Sequence, residues 1–282
     1  MSPTMTALRA GLSRGWTELR QTLTNGGDLF NHFFWPVLML ITLYFMRNVQ
    51  FGNSGFKLGA LVLPSVLGMN ASMAMVTMSQ LLTADREDGT LLRAKATLNG
   101  MLGFLTGKIV SVAGGLLIDL AIFLIPALII IPAVKIDTFQ AWMTLLWVLA
   151  LGLVATLPWG AVLGSVFSSV RSQGLLTLPI LAVIGISGIF YPLSALPGWV
   201  QGIAQGFPIY WLGLGMRSAL LPAEAVSVEI GDSWRHLETV GVLSAWAVVG
   251  ILLAPIVLRR MANKESGSKM TQRREKALMR YQ

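Results

Sequence analysis

The chain has no cysteine, two histidines and few charges: only 12% of its 282 residues are Asp, Glu, Lys or Arg. Without cysteine there is no disulfide, no thiolate nucleophile and no Cys-based metal site. His32 and His236 lie far apart in sequence, so metal or cofactor chemistry has almost nothing to build on. The charged fraction is about half that of a soluble domain. In its place, 54% of the residues are hydrophobic and the mean hydropathy is +0.68. Such a chain is expected to cross a membrane several times.

Catalytic signatures are missing too. A phosphate-binding loop needs G-x-x-x-x-G-K-[ST]. Around Gly107-Lys108, Leu102 stands in place of the first glycine and Ile109 in place of Ser or Thr. The chain is not expected to hydrolyse nucleotides by itself. H-E-x-x-H does not occur, which leaves a metalloprotease reading without its motif. The G-x-S-x-G match at Gly11–Gly15 falls inside the amphipathic N-terminal pattern and not at the strand-to-helix turn that an esterase needs.

What the chain does have is apolar length. Runs able to cross about 30 Å of hydrocarbon fall near 29–46, 58–82, 106–131, 141–167, 175–193 and 238–258. The expected fold is therefore an all-α polytopic membrane protein with six transmembrane helices. The stretch 194–216 is apolar, but Pro197, Pro208 and five glycines interrupt it. Proline removes a backbone donor and glycine loosens a helix. The stretch therefore reads as broken or re-entrant helix covered by protein.

With six spans both termini share one side. Sixteen of the 21 Lys and Arg would lie there, among them Arg9, Arg14, Arg20, Arg86, Arg93, Lys95 and Lys108. Arg47, Lys57, Lys135, Arg217 and Arg235 would lie opposite. The positive-inside rule makes the terminal side cytoplasmic. The net charge of +8 is thus an orientation signal, and no nucleic-acid partner is expected.

Residues 1–27 hold no continuous apolar core and do not resemble a cleavable signal peptide. Met5, Leu8, Leu12, Trp16, Leu19 and Leu23 recur at helical steps, with Arg9, Arg14, Glu18 and Arg20 elsewhere on the wheel. That pattern predicts an amphipathic helix in the cytoplasmic headgroup layer or packed on a partner. The six-helix membrane body is expected to span 28–258, and a basic cytoplasmic tail at 259–282 receives no specific function.

Three features could carry chemistry or cargo. Asp119 is the only acidic residue deep within an expected span, and an intramembrane carboxylate is costly and often marks an ion or proton path. No second central acid or base is expected to serve as its relay partner. Met69, Met73, Met75 and Met78 form a polarizable stripe that either lines a path for a hydrophobic cargo or packs the core. Finally, "LLTADREDGTLLRAKATLNGMLGFLTGK" at 81–108 places seven charged residues between two apolar spans. Asp85 is expected to cap a helix there, with Glu87 and Asp88 in its first turn and Arg93 and Lys95 toward its end. A mere connector needs two to six residues, so an ordered charged helix suggests docking on another protein.

"EDGTLLRAKAT" resembles the coupling-helix region in permease subunits of ABC exporters with the six-helix, type-2 exporter fold. "SGIFYPLSALPGWVQGIAQGFPIYWLGLGMRSALL" at 187–221 is similar to that family's outer elements before the last span. The likeness extends over nearly the whole chain, with an N-terminal elbow helix. One departure is Leu98, where relatives commonly carry proline.

The resemblance implies an exporter of hydrophobic or amphipathic cargo in the bacterial inner membrane, nearest to drug or antibiotic exporters, with exporters of polysaccharide or lipid-linked glycan as the related alternative. It implies a separate cytoplasmic ABC ATPase as partner, a second permease, either an identical copy or a related chain, and contact with membrane lipid. ATP and magnesium would act only through that ATPase. Glu87, Asp88, Gly89, Thr90, Leu91 and Arg93 would couple to it. Pro192, Pro197, Trp199, Pro208 and Tyr210 would form an outer gate; Met69, Met73 and Asp119 are the candidate path residues on their own chemistry.

Overall fold

Only helices and closed barrels satisfy every backbone polar group without water, and apolar runs of about 20 residues select helix. The computed structural model describes residues 2–50, 57–97, 99–132, 134, 136–167, 170–189, 191 and 193–264. Among them the only strand-like pairing is an isolated bridge between Gln50 and Lys57. Pro192, Leu98 and the tail from residue 265 onward lie outside the described residues.

Helix α1 (Pro3–Thr24) is capped by Ser2, whose Oγ accepts from Met5 N at 3.3 Å. The chain turns at Asn25, whose Oδ1 accepts from Gly27 N at 3.1 Å and opens α2 (Gly26–Met46). Then come α3 (Leu58–Glu87), the short α4 (Thr90–Lys95), α5 (Gly100–Ile130), α6 (Phe139–Val166) and α7 (Val170–Ile186). Two short helices follow, α8 (Gly198–Gly206) and α9 (Pro208–Leu220), and α10 (His236–Lys264) ends the described chain.

Five of these helices, α2, α3, α5, α6 and α10, are long and apolar enough to cross a membrane. The expected span at 175–193 falls on α7, which has 17 residues and breaks into turns after Ile186. Each of the six helices carries an internal proline: Pro36, Pro64, Pro126, Pro158, Pro179 and Pro255. Inside an exposed soluble helix each would cost about 3 kcal/mol. In a bundle, neighbouring helices and side chains satisfy the freed carbonyls.

The most enclosed helix is α3, with 67% of its most apolar window buried against 12% for α2. It packs on α5, α6 and α9, while α10 packs on α6. Outward faces carry large apolar side chains, such as Phe30, Phe34, Trp35 and Phe45 on α2 and Leu117, Ile125 and Ile129 on α5. An apolar surface of this extent is suited to hydrocarbon, not water. The molecule is a multi-pass membrane protein.

Small residues set the closest contacts, because apolar burial drives little association between helices already in lipid. A Cβ at Gly11 would sit 2.4 Å from Gly103 O, and one at Gly15 2.5 Å from Gly107 O. Likewise, α6 meets α3 where Gly160 faces Met75 O and Gly164 faces Ser79 O.

Candidate functional site

At the end of α3 the charged segment departs from its expected form. Asp85 does not cap a new helix; α3 runs through it to Glu87, and Asp88 closes α3 instead. Residues 82–87 stay helical because Leu82, Thr83 and Asp85 are all buried. Thr83 Oγ1 donates to Gly164 O at 3.2 Å, and Arg86 Nη1 donates to Phe167 O at 2.9 Å, anchoring this end to α6. The backbone then reverses at Gly89, whose φ of 80° is open to glycine at little cost. Asp88 Oδ1 accepts from Thr90 N at 2.9 Å, which starts α4.

Only six residues form α4, and the rest of the charged stretch belongs to the ends of α3 and α5. Leu91 is 1% exposed and pins α4 to the core. Glu87, Asp88, Arg93 and Lys95 are exposed around it, with Thr90 half-buried. The six candidate coupling residues therefore share one surface turn, held by one buried leucine.

Beneath the turn lies an ion cluster that sequence reasoning missed. Lys108, 5% exposed, places Nζ 2.7 Å from Asp85 Oδ2 and 3.0 Å from Glu18 Oε2. Arg14 Nε donates to Glu18 Oε1 at 2.8 Å, and its Nη2 lies 4.0 Å from Asp85 Oδ1. The cluster joins α1, α3 and α5 through alternating charges, and the Arg14 guanidinium stacks over the Phe104 ring at 5.3 Å. The available signal was the charge pattern: Glu18, Asp85 and Lys108 each sit at the margin of an otherwise apolar helix face. Their pairing needed three dimensions.

On the opposite side, the stretch 194–216 is broken as its prolines and glycines suggest. Pro197 precedes α8, and Pro208 occupies the first turn of α9. The candidate gate residues do not form one group. Trp199 is 72% exposed, whereas Pro208 and Tyr210 are buried within the bundle.

Other residues fasten this region. Arg217 is not a loop charge facing water; it is buried on α9 and grips Glu229 with two nitrogens, at 2.5 and 3.2 Å. Its Nη1 also reaches Ser65 Oγ and Gly188 O, each at 3.4 Å. Indole N–H groups satisfy the loose carbonyls at the break. Trp211 donates to Gln205 O at 2.7 Å and Trp246 to Gly206 O at 2.9 Å. Arg235 holds Gln205 Oε1 at 2.7 Å.

Within the bundle, Met69, Met73 and Met75 pack on a small apolar cluster of Val76, Ile180, Ile184, Ile189 and Ile209. Met73 also lines a cavity of about 200 Å³ between α2, α3 and α5, with Asp119 on its wall. Contrary to expectation, Asp119 has an ionisable partner: its Oδ1 contacts His32 Nδ1. The reason is α2, which begins at Gly26 and so carries His32 to α5 from outside the predicted relay set. Among the described residues no three potential metal ligands come together.

The family model described as "ABC-2 family transporter protein" matches residues 62–256, from the first turns of α3 into α10. No curated protein matches the chain.

Proposed function

Because the chain belongs to the ABC-2 family of transporter proteins, we propose that it is the permease subunit of an ATP-driven exporter. A separate cytoplasmic ATPase binds the α3–α4 turn, and its closure drives alternating access in the membrane helices. Five long apolar helices and α7 supply six spans, with both termini and α4 cytoplasmic and the membrane the bacterial inner one. A second permease copy completes the path. The cargo is hydrophobic or amphipathic, of the drug, antibiotic or lipid class, since the inner walls offer methionine and few charges.

The observation that carries this reading is the mounting of α4. The six-residue α4 carries exposed Arg93 and Lys95, follows exposed Glu87 and Asp88 at the end of α3, is pinned by Leu91 and is backed by the Asp85–Lys108–Glu18 cluster. A load applied there reaches α1, α3 and α5 together.

The test is capture from native membranes in mild detergent, followed by vanadate-sensitive ATP hydrolysis of the captured complex. A stoichiometric ATPase, lost when residues 87–91 are scrambled, supports the reading. Absence of any nucleotide-binding partner refutes it.

One observation favours a second reading. The Asp119–His32 contact supplies the relay that a proton-coupled carrier needs. Such a carrier would transport after ATP depletion, stop when the proton gradient collapses, and fail with Asp119→Asn.

A further inference from the structure

Asp119 stands two-thirds of the way along α5, and its carboxylate is only half used. His32 occupies Oδ1, while Oδ2 has no hydrogen bond among the described residues. The side chain keeps 34% of its surface exposed. The exposed part faces the 200 Å³ cavity, whose walls combine Asn70, Thr77 and Ser111 with Met73, Val112 and Leu116.

A second cavity, about 470 Å³, lies beside α1 and shares Thr22, Leu81 and Ser111 with the first. It is lined by Glu18, Asp28 and Lys108. The lysine is committed to Glu18 and Asp85, whereas Asp28 forms no ion pair among the described residues. The two cavities adjoin along Thr22, Leu81 and Ser111 between the α1–α2 junction and Asp119, and the charge they leave uncommitted is negative.

A carboxylate facing space at membrane depth is stabilised by a cation, because charge interactions there are weakly screened. If the His32–Asp119 contact served only to tether α2 to α5, neither a second unfilled oxygen nor a cavity would be needed. We infer that this space is a binding site for the head of a cationic amphiphile, an organic ammonium. The head pairs with Asp119, and the tail lies along Met73, Val112 and Leu116, where a thioether and branched chains adapt to varied shapes. The inference deepens the exporter reading and rests on it. It names the head-group charge of the cargo.

The test uses the full chain in nanodiscs without any ATPase, so its outcome is separate from that of the ATPase capture. Tritiated decyltrimethylammonium is the probe, decyl sulfate the competitor of opposite charge, and empty nanodiscs the blank. Saturable binding that decyl sulfate does not displace is expected. Asp119→Asn should weaken it about tenfold, equivalent to about 1.4 kcal/mol, and Asp119→Glu should retain it. His32→Gln, which removes the competing imidazole but keeps the carboxylate, should bind as tightly or tighter. It also serves if Asp119→Asn does not fold. Displacement by decyl sulfate, unchanged affinity in Asp119→Asn, or lost binding in a folded His32→Gln variant would overturn the inference.

Discussion

Replacing Lys108 with methionine tests whether the ion cluster holds α1 on the bundle. Methionine keeps the length and apolar stem but removes the ammonium that separates Asp85 from Glu18. Removing one partner from a buried ion pair costs about 3–5 kcal/mol, because the remaining charge is left uncompensated. Here Asp85 and Glu18 keep 10% and 22% of their side-chain surface exposed, and Arg14 still reaches both. The lower end of that range, about 3 kcal/mol, therefore applies.

At about 2 °C per kcal/mol for a chain of this size, Lys108→Met should lower the Tm in nanodiscs by roughly 6 °C. The near-ultraviolet signal of the tryptophans reports the transition. The sharper assay is the double variant. Adding Asp85→Asn to Lys108→Met removes the orphaned charge, so it should recover part of the loss, although Asp85→Asn alone destabilises. A Tm within about 1 °C of the parent for Lys108→Met would refute the reasoning. So would additive losses in the double variant, because residues sharing a charge contact are expected to couple.

Gly11→Leu should lift α1 from α5, because even its Cβ would lie 2.4 Å from Gly103 O. Overpacking of this kind costs about 1–3 kcal/mol, and faster proteolysis within α1 would register it. Glu229→Gln should leave Arg217 buried without its counter-charge and destabilise the α9 region by about 3 kcal/mol; an unchanged Tm would contradict the pairing. Glu87→Ala should leave the protein folded and inserted while weakening cargo-stimulated ATP hydrolysis by the captured complex, and unaltered stimulation would remove Glu87 from the coupling surface. Trp199→Ala, at an exposed position on α8, should disturb export with ATPase capture intact; loss of capture instead would mean that α8 does not lie on the outer side.

Much of the architecture was legible because its causes are local. Hydrophobic length, the basic asymmetry and the Pro197–Pro208 interruption are properties of consecutive residues, and α2, α3, α5, α6, α10 and the α8–α9 break follow from them. The amphipathic periodicity of residues 3–24 marked α1, but not which face it buries. Trp16 and Leu12 point outward at 65% and 51% exposure, while Ala7, Gly11, Gly15 and Leu19 are the buried stripe. Hydrophobicity ranks the large side chains as the inward face. In a membrane the rank reverses, because lipid accepts large apolar groups and only small ones let two backbones approach.

The sequence by itself determined that this protein lives in a membrane and is built of helices. It also showed that these 282 residues hold no nucleotide-binding loop of the usual pattern and that a charged segment lies between two spans. Each of these follows from composition or from spacing within one segment. Tertiary structure decided which charges meet: Lys108 with Asp85 and Glu18, Arg217 with Glu229, His32 with Asp119. Two of those three pairings join groups about ninety residues apart. A charge in an apolar helix must find a partner, but its own neighbours do not say which one. Only the packing of α1, α2, α3 and α5 settles that choice.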